Sequence, residues 1–434
     1  MKRIKTNLYN QITFSNLLGQ YKILKTNCKN KRKLFYFAKE LNSNILDTGT
    51  KLRNRCYSFS DYNIFLIHEN KFRIIMSECI SDKLVSHFIS NYCLQNSLES
   101  KLILQNVATR KGLGSKAAYD FFNRYLHKFD FNQKIYVLKI DISKYFYSIS
   151  HEILKKKIRT VINDSYALTF LDTIIDLTDR SYVNKKIDEL VRREKSKIMS
   201  LNISSSSKMN LIKELEKIPR YKKGYGLSIG SVVNQHLSTF YLSSLDRFIK
   251  ENLKCKYYVR YMDDMAIFSD DKIFLKDCFE KIIFEIEDLE LKVNPKSSIF
   301  CINDGFTFLG KTYSIKNGIL LIKIKNKTFY SARRKLNYLR NNNNNKKYYM
   351  SKVSYYGLIN EDKLDSIDNE RIFLLKKYNV LVIIKKNNNF YFDINCVEYI
   401  KFLNQNKYSN FILFLNRYKF LYILLSRGNV KFYI

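Results

Sequence analysis

Three aspartates occupy positions where carboxylates are destabilising unless a cation balances their charge. Asp141 lies near the end of the apolar run KIYVLKIDIS (134–143), and Asp263 and Asp264 lie within the apolar segment YYVRYMDDMAIFS (257–269). Both segments have the composition of strands, and the second is predicted to be a hairpin whose turn is the acidic pair. Like charges buried together raise each other's pKa values, and a divalent cation removes that cost. An all-oxygen site suits Mg²⁺, and two such ions can activate a hydroxyl and stabilise a pyrophosphate leaving group.

The charge of the chain indicates a polyanionic partner. Its 434 residues include 76 Lys+Arg against 40 Asp+Glu, which gives a formal net charge of +36. Such an excess favours RNA or DNA as the partner. A solvated basic surface, or a genome biased toward Lys and Asn codons, would also produce part of the excess. The 46% hydrophobic content predicts a globular chain with two or three core-bearing units.

The cysteines and histidines show no spacing typical of a metal site. Eight Cys are scattered without a C-x-x-C pair or a nearby His, which favours free thiols in a reducing cytosol. The five histidines, His68, His87, His127, His151 and His236, are expected to be core or surface residues rather than ligands. No uncharged apolar run reaches the roughly 18 residues of a membrane span. We therefore expect a cytoplasmic protein that does not cross a membrane.

On its own, an Asp-Asp pair is typical of a hairpin turn, but its setting in this sequence resembles the reverse transcriptase family. YMDD (261–264) stands inside the apolar hairpin, and KIDISKYF (139–146) upstream resembles motif A of the family. Further segments resemble the remaining motifs in the family's order, namely the fingers segments KFRIIM (71–76) and TRKGLGSKAA (109–118), motif B GLSIGSVVNQHLSTFYLSSLD (226–246), motif D LKVNPKSS (291–298) and motif E FLG (308–310). The resemblance covers about residues 65–315.

The resemblance implies a set of catalytic groups and metal ligands. Asp141, Ile142, Asp263 and Asp264 are the expected ligands of two Mg²⁺ ions, with Mn²⁺ as an alternative, and the three aspartates are the catalytic carboxylates. Lys296, in the motif D segment, would protonate the pyrophosphate leaving group.

The resemblance also implies a deoxynucleotide site. Phe146 would exclude the 2′-hydroxyl of a ribonucleotide, and Gly230 would let the base pair of template and nucleotide approach the backbone. Basic residues beside Gly suit phosphate contact, although a solvated turn would present the same residues. The residues expected to contact the deoxynucleotide are Arg73, Arg110, Lys111, Phe146, Gly230 and Gln235.

The implied fold is α+β. It is a right-hand polymerase with fingers, a palm of antiparallel sheet plus helices, and a mainly helical thumb. We assign residues 1–64 to an N-terminal basic helical extension, 65–315 to the fingers and palm, and 316–434 to a basic helical thumb or C-terminal region. Basic residues beside the Asn run at 341–345 are predicted to contact nucleic acid, namely Arg333, Arg334, Lys335 and Arg340.

Motif B points to a subgroup of the family. Most members carry Gln before the Gly and a Ser-Pro pair downstream, whereas this chain has Ile229-Gly230 and then Asn234-Gln235. An apolar residue before Gly, followed by Ser-Gln, resembles the reverse transcriptases of diversity-generating retroelements and the related bacterial defence-associated groups; Asn234 replaces the Ser here. A defence enzyme would copy a dedicated noncoding RNA into cDNA during phage infection, and the basic C-terminal region favours this interpretation. A diversity-generating enzyme would copy a template repeat mutagenically with a small basic accessory protein.

The implied partners are an RNA template, dNTPs and the cDNA product, without a membrane, and a homo-oligomer or an accessory protein is also compatible with the sequence. Two further functions are compatible with it as well. One is a protein-primed or untemplated terminal transferase, for which the 33 Tyr offer many hydroxyls. The other is an RNA-binding scaffold with a relict polymerase fold, against which the intact aspartates argue.

Overall fold

The chain forms two compact units, residues 1–301 and 302–434. The computed structural model describes residues 3–28, 30–68, 71–324, 326–342, 347–348, 351, 384–386 and 389–391. Most of the predicted thumb therefore lies outside the described residues. The division falls before the boundary that the sequence places after residue 315, because three short strands beyond 302 pair with one another.

The N-terminal region is helical, as predicted. Its helices are α1 (Phe14–Asn27), α2 (Lys31–Lys39) and α3 (Leu41–Arg53). Side-chain caps define two of the helix starts, since Thr13 accepts from the amide of Asn16 at 3.1 Å and Asn30 accepts from the amide of Lys33 at 3.0 Å. The apolar faces of these helices pack into the core of the first unit.

A two-stranded hairpin and a series of helices follow. The hairpin pairs β1 (Asn63–His68) with β2 (Phe72–Ser77) in antiparallel register. The helices of the first unit after this hairpin are α4 (Ile80–Ile89), α5 (Gln95–Leu98), α6 (Ser115–Leu126), α7 (Tyr145–Ser148), α8 (His151–Val161), α9 (Ser165–Asp176), α10 (Tyr182–Ser200), α11 (Ser205–Glu216), α12 (Val232–Tyr241), α13 (Ser243–Arg247) and α14 (Lys272–Asp288).

A four-stranded antiparallel sheet forms the centre of the first unit. Its strands are β3 (Tyr136–Ile140), β4 (Tyr257–Tyr261), β5 (Asp264–Ser269) and β6 (Ser298–Cys301), in the spatial order β4-β5-β3-β6. Helices α6 and α14 pack against it. Strand β3 thus lies between β5 and β6, and its residues Val137, Leu138 and Ile140 are fully buried, as a short continuous apolar run predicts.

The predicted hairpin at 257–269 is confirmed, with one correction to its turn. Tyr261 pairs with Asp264, so the two-residue turn consists of Met262 and Asp263 rather than of the acidic pair. Asp264 is the first residue of β5. Asp263 therefore lies in a turn, whereas its neighbour Asp264 lies in a strand.

The second unit begins with a small sheet. The sequence predicts a short hairpin in the segment FTFLGKTYS (306–314). The structure confirms it, since strands β7 (Phe306–Phe308), β8 (Lys311–Lys316) and β9 (Ile319–Ile324) pair antiparallel in sequence order. Its turn residues Leu309 and Gly310 have φ of 46° and 86°, a left-handed turn of the kind that joins adjacent strands closely. Helix α15 (Asn326–Asn341) and the short hairpin of β10 (Ile384–Lys386) and β11 (Asn389–Tyr391) follow.

Residues 319–324, within the region expected to be mainly helical, form a strand that pairs with β8. The combination of antiparallel sheet and helices confirms the predicted α+β class. Among the described residues, no helix is both long and apolar enough to cross a membrane.

Candidate active site

The three predicted catalytic aspartates meet at one end of the central sheet. Ile140 of β3 pairs with Met265 of β5, so the next positions along the two strands, Asp141 and Asp264, lie opposite each other. Asp263 lies in the turn immediately before β5. Each of the three carboxylates is only partly exposed to solvent. The sheet therefore brings together residues that are more than a hundred positions apart in sequence.

The electrostatics of this cluster are those of partly buried carboxylates that repel one another. Burial, with the carboxylates of Asp264 and Asp141 adding to it, raises the pKa of Asp263 to about 6. Burial also raises the pKa of Asp264, against the ammonium of Lys139, whose Nζ lies 3.8 Å from Asp264 Oδ1. Hard oxygen donors with raised pKa values fit a divalent cation of the Mg²⁺ or Mn²⁺ type. Ile142 has no donor atom in its side chain, so it could contribute only its carbonyl oxygen.

A loop between α14 and β6 fixes Asp141. Asn294 Nδ2 donates to Asp141 Oδ2 at 2.7 Å, and the Asn294 amide donates to the Asp141 carbonyl at 2.8 Å. The amide of Asp141 in turn donates to Ser297 Oγ at 3.0 Å. Lys296 lies in this loop with an exposed side chain. The loop therefore joins the predicted proton donor to the predicted metal ligand through its backbone.

The acidic turn has an unusual backbone that a buried cation supports. Met262 has φ of +57°, a left-handed conformation that a residue with a Cβ adopts at a cost. The guanidinium of Arg260 donates to the Met262 carbonyl at 2.8 Å and to the Thr239 carbonyl at 2.9 Å. The side chain of Arg260 is 0% exposed. The turn that carries Asp263 is thus tied to the protein interior.

A bidentate ion pair holds that guanidinium in place. Asp246 accepts from Arg260 Nε at 2.7 Å and from Arg260 Nη2 at 2.6 Å. Tyr258 donates its hydroxyl to the same carboxylate at 2.7 Å, and Asn106 Nδ2 lies 3.4 Å from it. Burying a charged pair is costly even when it is fully hydrogen-bonded, so such a pair is weak evidence for stability. Because the Arg260 guanidinium also donates to the carbonyls of Met262 and Thr239, we infer that the ion pair holds the acidic turn in place.

Sequence reasoning missed Asn294, Ser297, Arg260 and Asp246. A signal for Arg260 was present, because it is the only charge in the otherwise apolar strand YYVRY (257–261), which the hairpin pattern predicts to be buried.

The motif B segment contacts the turn that follows Asp141. The Leu227 amide donates to the carbonyl of Phe146 at 2.7 Å, and the Phe146 side chain is half-buried. Gly230 has φ of +131°, and a Cβ at this position would lie 2.6 Å from the carbonyl oxygen of Met76 in β2. Only glycine fits such an approach. Gln235 is exposed on α12.

Asn234, the departure from the usual motif, has a structural role. Its side chain is buried, and its Nδ2 donates to Ser228 Oγ at 2.7 Å. Ser228 Oγ in turn donates to the hydroxyl of Tyr62 at 3.1 Å. The amide therefore fixes the turn that leads to Gly230.

The predicted fingers cations differ in their surroundings. Arg73 on β2 and Lys111 in the turn before α6 are exposed, as triphosphate contacts require. Arg110 departs from the expectation, because its Nη1 donates to the carbonyls of Ile103 at 2.8 Å and Asn106 at 3.0 Å. Its Nε also lies 3.4 Å from Glu99 Oε1, so most of its guanidinium contacts other groups of the protein.

The predicted nucleic-acid contacts share one helix. Arg334, Lys335 and Arg340 lie on α15 with exposed side chains, and Arg333 belongs to the same helix.

The part of the chain that holds these elements matches a known protein family. Residues 68–313 match the family model described as "Reverse transcriptase (RNA-dependent DNA polymerase)". No curated protein sequence matches the chain. One similar solved structure is titled "Structure of apo telomerase from Candida Tropicalis truncated from C-terminal domain", with 14% identity, a TM-score of 0.35, and coverage of 61% of this chain and 55% of that one. The chain thus spans about half the length of that protein chain.

Proposed function

The chain belongs to the reverse transcriptase (RNA-dependent DNA polymerase) family, and from that premise we propose that it extends a primer by copying RNA into DNA. The observation that carries the proposal is the meeting of Asp141, Asp263 and Asp264 at one end of the sheet, where burial and mutual repulsion raise the pKa values of Asp263 and Asp264. A protein that only bound RNA would have no use for a cluster of partly buried carboxylates. This argues against the scaffold function.

We assign the metal ligands to the three aspartates, with the Ile142 carbonyl as a further oxygen. Bound there, two Mg²⁺ ions would lower the pKa of the attacking hydroxyl and stabilise the leaving pyrophosphate. Asn294 orients Asp141 for this task, and Lys139 limits the repulsion before metal arrives.

The remaining roles follow the same geometry. Phe146 would lie beside the sugar and exclude a 2′-hydroxyl, since the motif B backbone presses against its carbonyl. Gly230 would let the base pair of template and nucleotide approach the backbone. Gln235, in the first turn of α12, would face the nucleotide. Arg73 and Lys111 would contact the triphosphate, and Lys296 would protonate the leaving group.

A double substitution tests the catalytic assignment. We expect Asp263→Ala with Asp264→Ala to abolish deoxynucleotide incorporation, while the circular dichroism spectrum and RNA affinity stay at the wild-type level, because the lost groups hold metal rather than core. Asp141→Asn should behave in the same way. Asp270→Ala is the control, since Asp270 is an exposed carboxylate at the other end of the same strand pair. Undiminished incorporation by the double variant would contradict the site.

We further propose that α15 belongs to the nucleic-acid-binding track. Its exposed cations follow the small sheet in the position where polymerases of this type place the thumb. Each phosphate contact contributes roughly 0.7 to 0.9 to the slope of log affinity against log salt. Replacing Arg333, Arg334 and Lys335 together by Ala should therefore lower both RNA affinity and the salt slope.

The matched control for this experiment removes three cations from helix α10, namely Lys185, Arg192 and Lys197. If the α15 variant loses no more affinity than this control, the α15 cluster is surface charge and not a binding track.

We propose a dedicated noncoding RNA as the template and bacterial antiphage defence, in the cytoplasm, as the setting. The net charge of +36 suits a large RNA partner, and motif B has the apolar Ile229 before Gly230 as in that subgroup. The seven cysteines in the described part of the chain are all free thiols, in keeping with a reducing compartment. Sequencing of RNA that copurifies with the chain, and plating of phage on cells with the active and Asp263→Ala enzymes, test the proposal. One enriched RNA and protection only by the active enzyme would support it.

A mutagenic diversity-generating enzyme is the second candidate. The observation that favours it is Ile229 in place of the usual Gln, since an apolar side chain removes a hydrogen-bonding group beside the nucleotide. Sequencing the cDNA distinguishes the two, because mutagenic copying concentrates errors at one template base. Products made without template would instead indicate an untemplated transferase.

A further inference from the structure

A buried histidine and two aspartates form a second polar cluster, separate from the candidate active site. His151 begins α8, Asp176 ends α9, and Asp179 lies in the short turn after α9. His151 Nδ1 lies 3.2 Å from Asp176 Oδ1 and 3.5 Å from Asp179 Oδ2, and its side chain is 4% exposed. One ligand atom of each residue lies within 4.8 Å of the others.

The other ring nitrogen determines which tautomer is present. His151 Nε2 lies 2.8 Å from the carbonyl oxygen of Gly226, which can only accept, so Nε2 carries the hydrogen. A neutral ring then has its lone pair on Nδ1, and among the described residues this buried atom has no hydrogen-bond partner. A lone pair that faces two carboxylate oxygens is repelled by them. Either a proton or a metal ion must lie in that space.

The distances favour a metal ion over a proton. A protonated Nδ1 would form charge-assisted hydrogen bonds of about 2.7–2.9 Å. The observed separations of 3.2 and 3.5 Å are both longer. Ligand bonds of about 2.0–2.2 Å in a tetrahedral arrangement place ligand atoms roughly 3.3–3.6 Å apart, which fits the observed pair.

The surroundings are those of a supported ligand set. A metal-binding histidine commonly donates its second N–H to a backbone carbonyl, as His151 does to Gly226. Asp179 Oδ1 accepts from the amide of Gly224 at 2.9 Å, which leaves its second oxygen for the cluster. Lys155 Nζ lies 2.6 Å from each oxygen of Asp176. With a neutral His151, the two carboxylates and this ammonium leave one net negative charge, which favours a divalent cation.

We propose that His151, Asp176 and Asp179 bind one divalent transition-metal ion, with Zn²⁺ preferred over Mn²⁺ and both over Mg²⁺. Imidazole suits Zn²⁺ and disfavours Mg²⁺, and the three protein ligands leave a fourth position for water. The sequence did not predict this site because its ligands have no recognisable spacing. They converge only when α8 packs against α9.

The ion would fasten the segment that carries motif B. His151 and Thr178 both donate to the Gly226 carbonyl, the second at 2.7 Å, and the Leu227 amide donates to Phe146. The site therefore holds the backbone of Gly226, which precedes Gly230 in motif B and lies next to the residue that contacts Phe146. Its role is structural, and it does not depend on the catalytic assignment.

The test uses the full chain with Asp263→Ala and Asp264→Ala, so that the carboxylates of the candidate active site contribute little. After removal of metal with a chelator, Zn²⁺, Mn²⁺ and Mg²⁺ are titrated separately by calorimetry, and the thermal unfolding midpoint is measured with each. We expect one Zn²⁺ per chain and a rise in the midpoint that depends on Zn²⁺ concentration. Failure here leaves the polymerase proposal untouched, because incorporation is measured separately.

Variants identify the ligands. His151→Gln should abolish the Zn²⁺ site, and Asp179→Asn should weaken it at least tenfold while its side-chain oxygen still accepts from Gly224. His127→Gln is the control, because His127 is an exposed histidine on the surface of the same unit.

Two outcomes would overturn the proposal. One is the absence of Zn²⁺ binding tighter than about 100 µM, or binding that persists unchanged in His151→Gln. The other is a nitrogen NMR spectrum in which both ring nitrogens of His151 carry protons in the presence of Zn²⁺, since that shows an imidazolium ion pair instead.

Discussion

Gly230→Ala is the substitution that most directly tests how the motif B turn meets strand β2. A Cβ at Gly230 would lie 2.6 Å from the carbonyl oxygen of Met76 and 3.4 Å from its carbonyl carbon, and the φ of +131° is itself strained for alanine. The obstacle is backbone, so no side-chain rotation relieves it. The Met76 amide also donates to the carbonyl of Ile229 at 2.9 Å, so the strand cannot withdraw without losing that bond.

A second glycine separates the two contributions. Gly114 has a similar φ of +122°, but no atom lies within 4 Å of the position that a Cβ would take there. A strained φ costs about 1–3 kcal/mol, and overpacking adds about 1–3 kcal/mol. We therefore expect Gly114→Ala to lower the free energy of unfolding by about 1–3 kcal/mol and Gly230→Ala by about 2–6 kcal/mol. The larger loss is a substantial part of the about 5–15 kcal/mol typical of a protein.

Urea unfolding of both variants at 25 °C measures the difference, and primer extension reports the site. We expect Gly230→Ala to lose most of its incorporation even without urea, where it is folded, since we propose that the displaced backbone contacts the base pair of template and nucleotide. Equal destabilisation of the two variants, within about 0.5 kcal/mol, together with normal incorporation would refute the close approach to Met76.

Three further tests use substitutions at Phe146, at the Arg260–Asp246 pair and at Glu78, a buried carboxylate. Phe146→Val should let the enzyme incorporate ribonucleotides, because the half-buried ring no longer fills the space beside the sugar. An unchanged preference for deoxynucleotides in competition assays would place the selecting residue elsewhere. Arg260→Met should lower the free energy of unfolding by roughly 3–5 kcal/mol, because Asp246 stays buried and unpaired. Arg260→Met combined with Asp246→Leu should recover much of the stability in urea unfolding but not the incorporation rate, since the Met262 carbonyl still lacks its donor; recovery of both would reduce Arg260 to a packing role. For Glu78, burial raises the pKa from 4.5 to about 7, so its contribution to stability is fully present below pH 4.5 and is lost as the pH rises through 7. Glu78→Gln should remove a pH-dependent loss of roughly 3 kcal/mol from the unfolding free energy measured between pH 4.5 and 8, and a parallel decline in the variant would assign that loss to other groups.

The sequence predicted those elements whose pattern of apolar and polar residues lies within one short segment. The apolar run at 134–143 predicts a buried strand, and β3 occupies its centre at Tyr136–Ile140. The hairpin around the acidic pair and the hairpin at 306–314 were also predicted, because alternating apolar runs with a short polar or Gly-containing break are sufficient for that inference. The meeting of Asp141 with Asp264 was implied by the resemblance to the reverse transcriptase family and not by the local pattern of either strand.

Contacts that depend on packing could not be predicted. Arg260 and Asp246 are on separate elements, so the apolar setting of Arg260 in YYVRY (257–261) indicates burial but does not identify its partner. For Arg110, the basic turn that leads to Gly112 suggests phosphate contact, and the sequence pattern does not show that its guanidinium also donates to the carbonyls of Ile103 and Asn106. Residues 319–324 were assigned to a helical region because they follow the motif E turn, where a helical thumb was expected, although their composition, ILLIKI, is typical of a strand.

The position of β3 has a consequence for how the chain acquires its structure during synthesis. β3 becomes an interior strand only when β6, near the end of the first unit, pairs with it. Until the ribosome has released residue 301, β3 is therefore an open edge of apolar residues, of the kind that favours association between chains. Asn294 and Ser297 emerge just before β6, so Asp141 would acquire its supporting contacts at the same late moment. We expect pulsed hydrogen exchange during refolding to show the β3 amides that donate to β6 protected no earlier than the amides of β6, and their earlier protection would contradict this order.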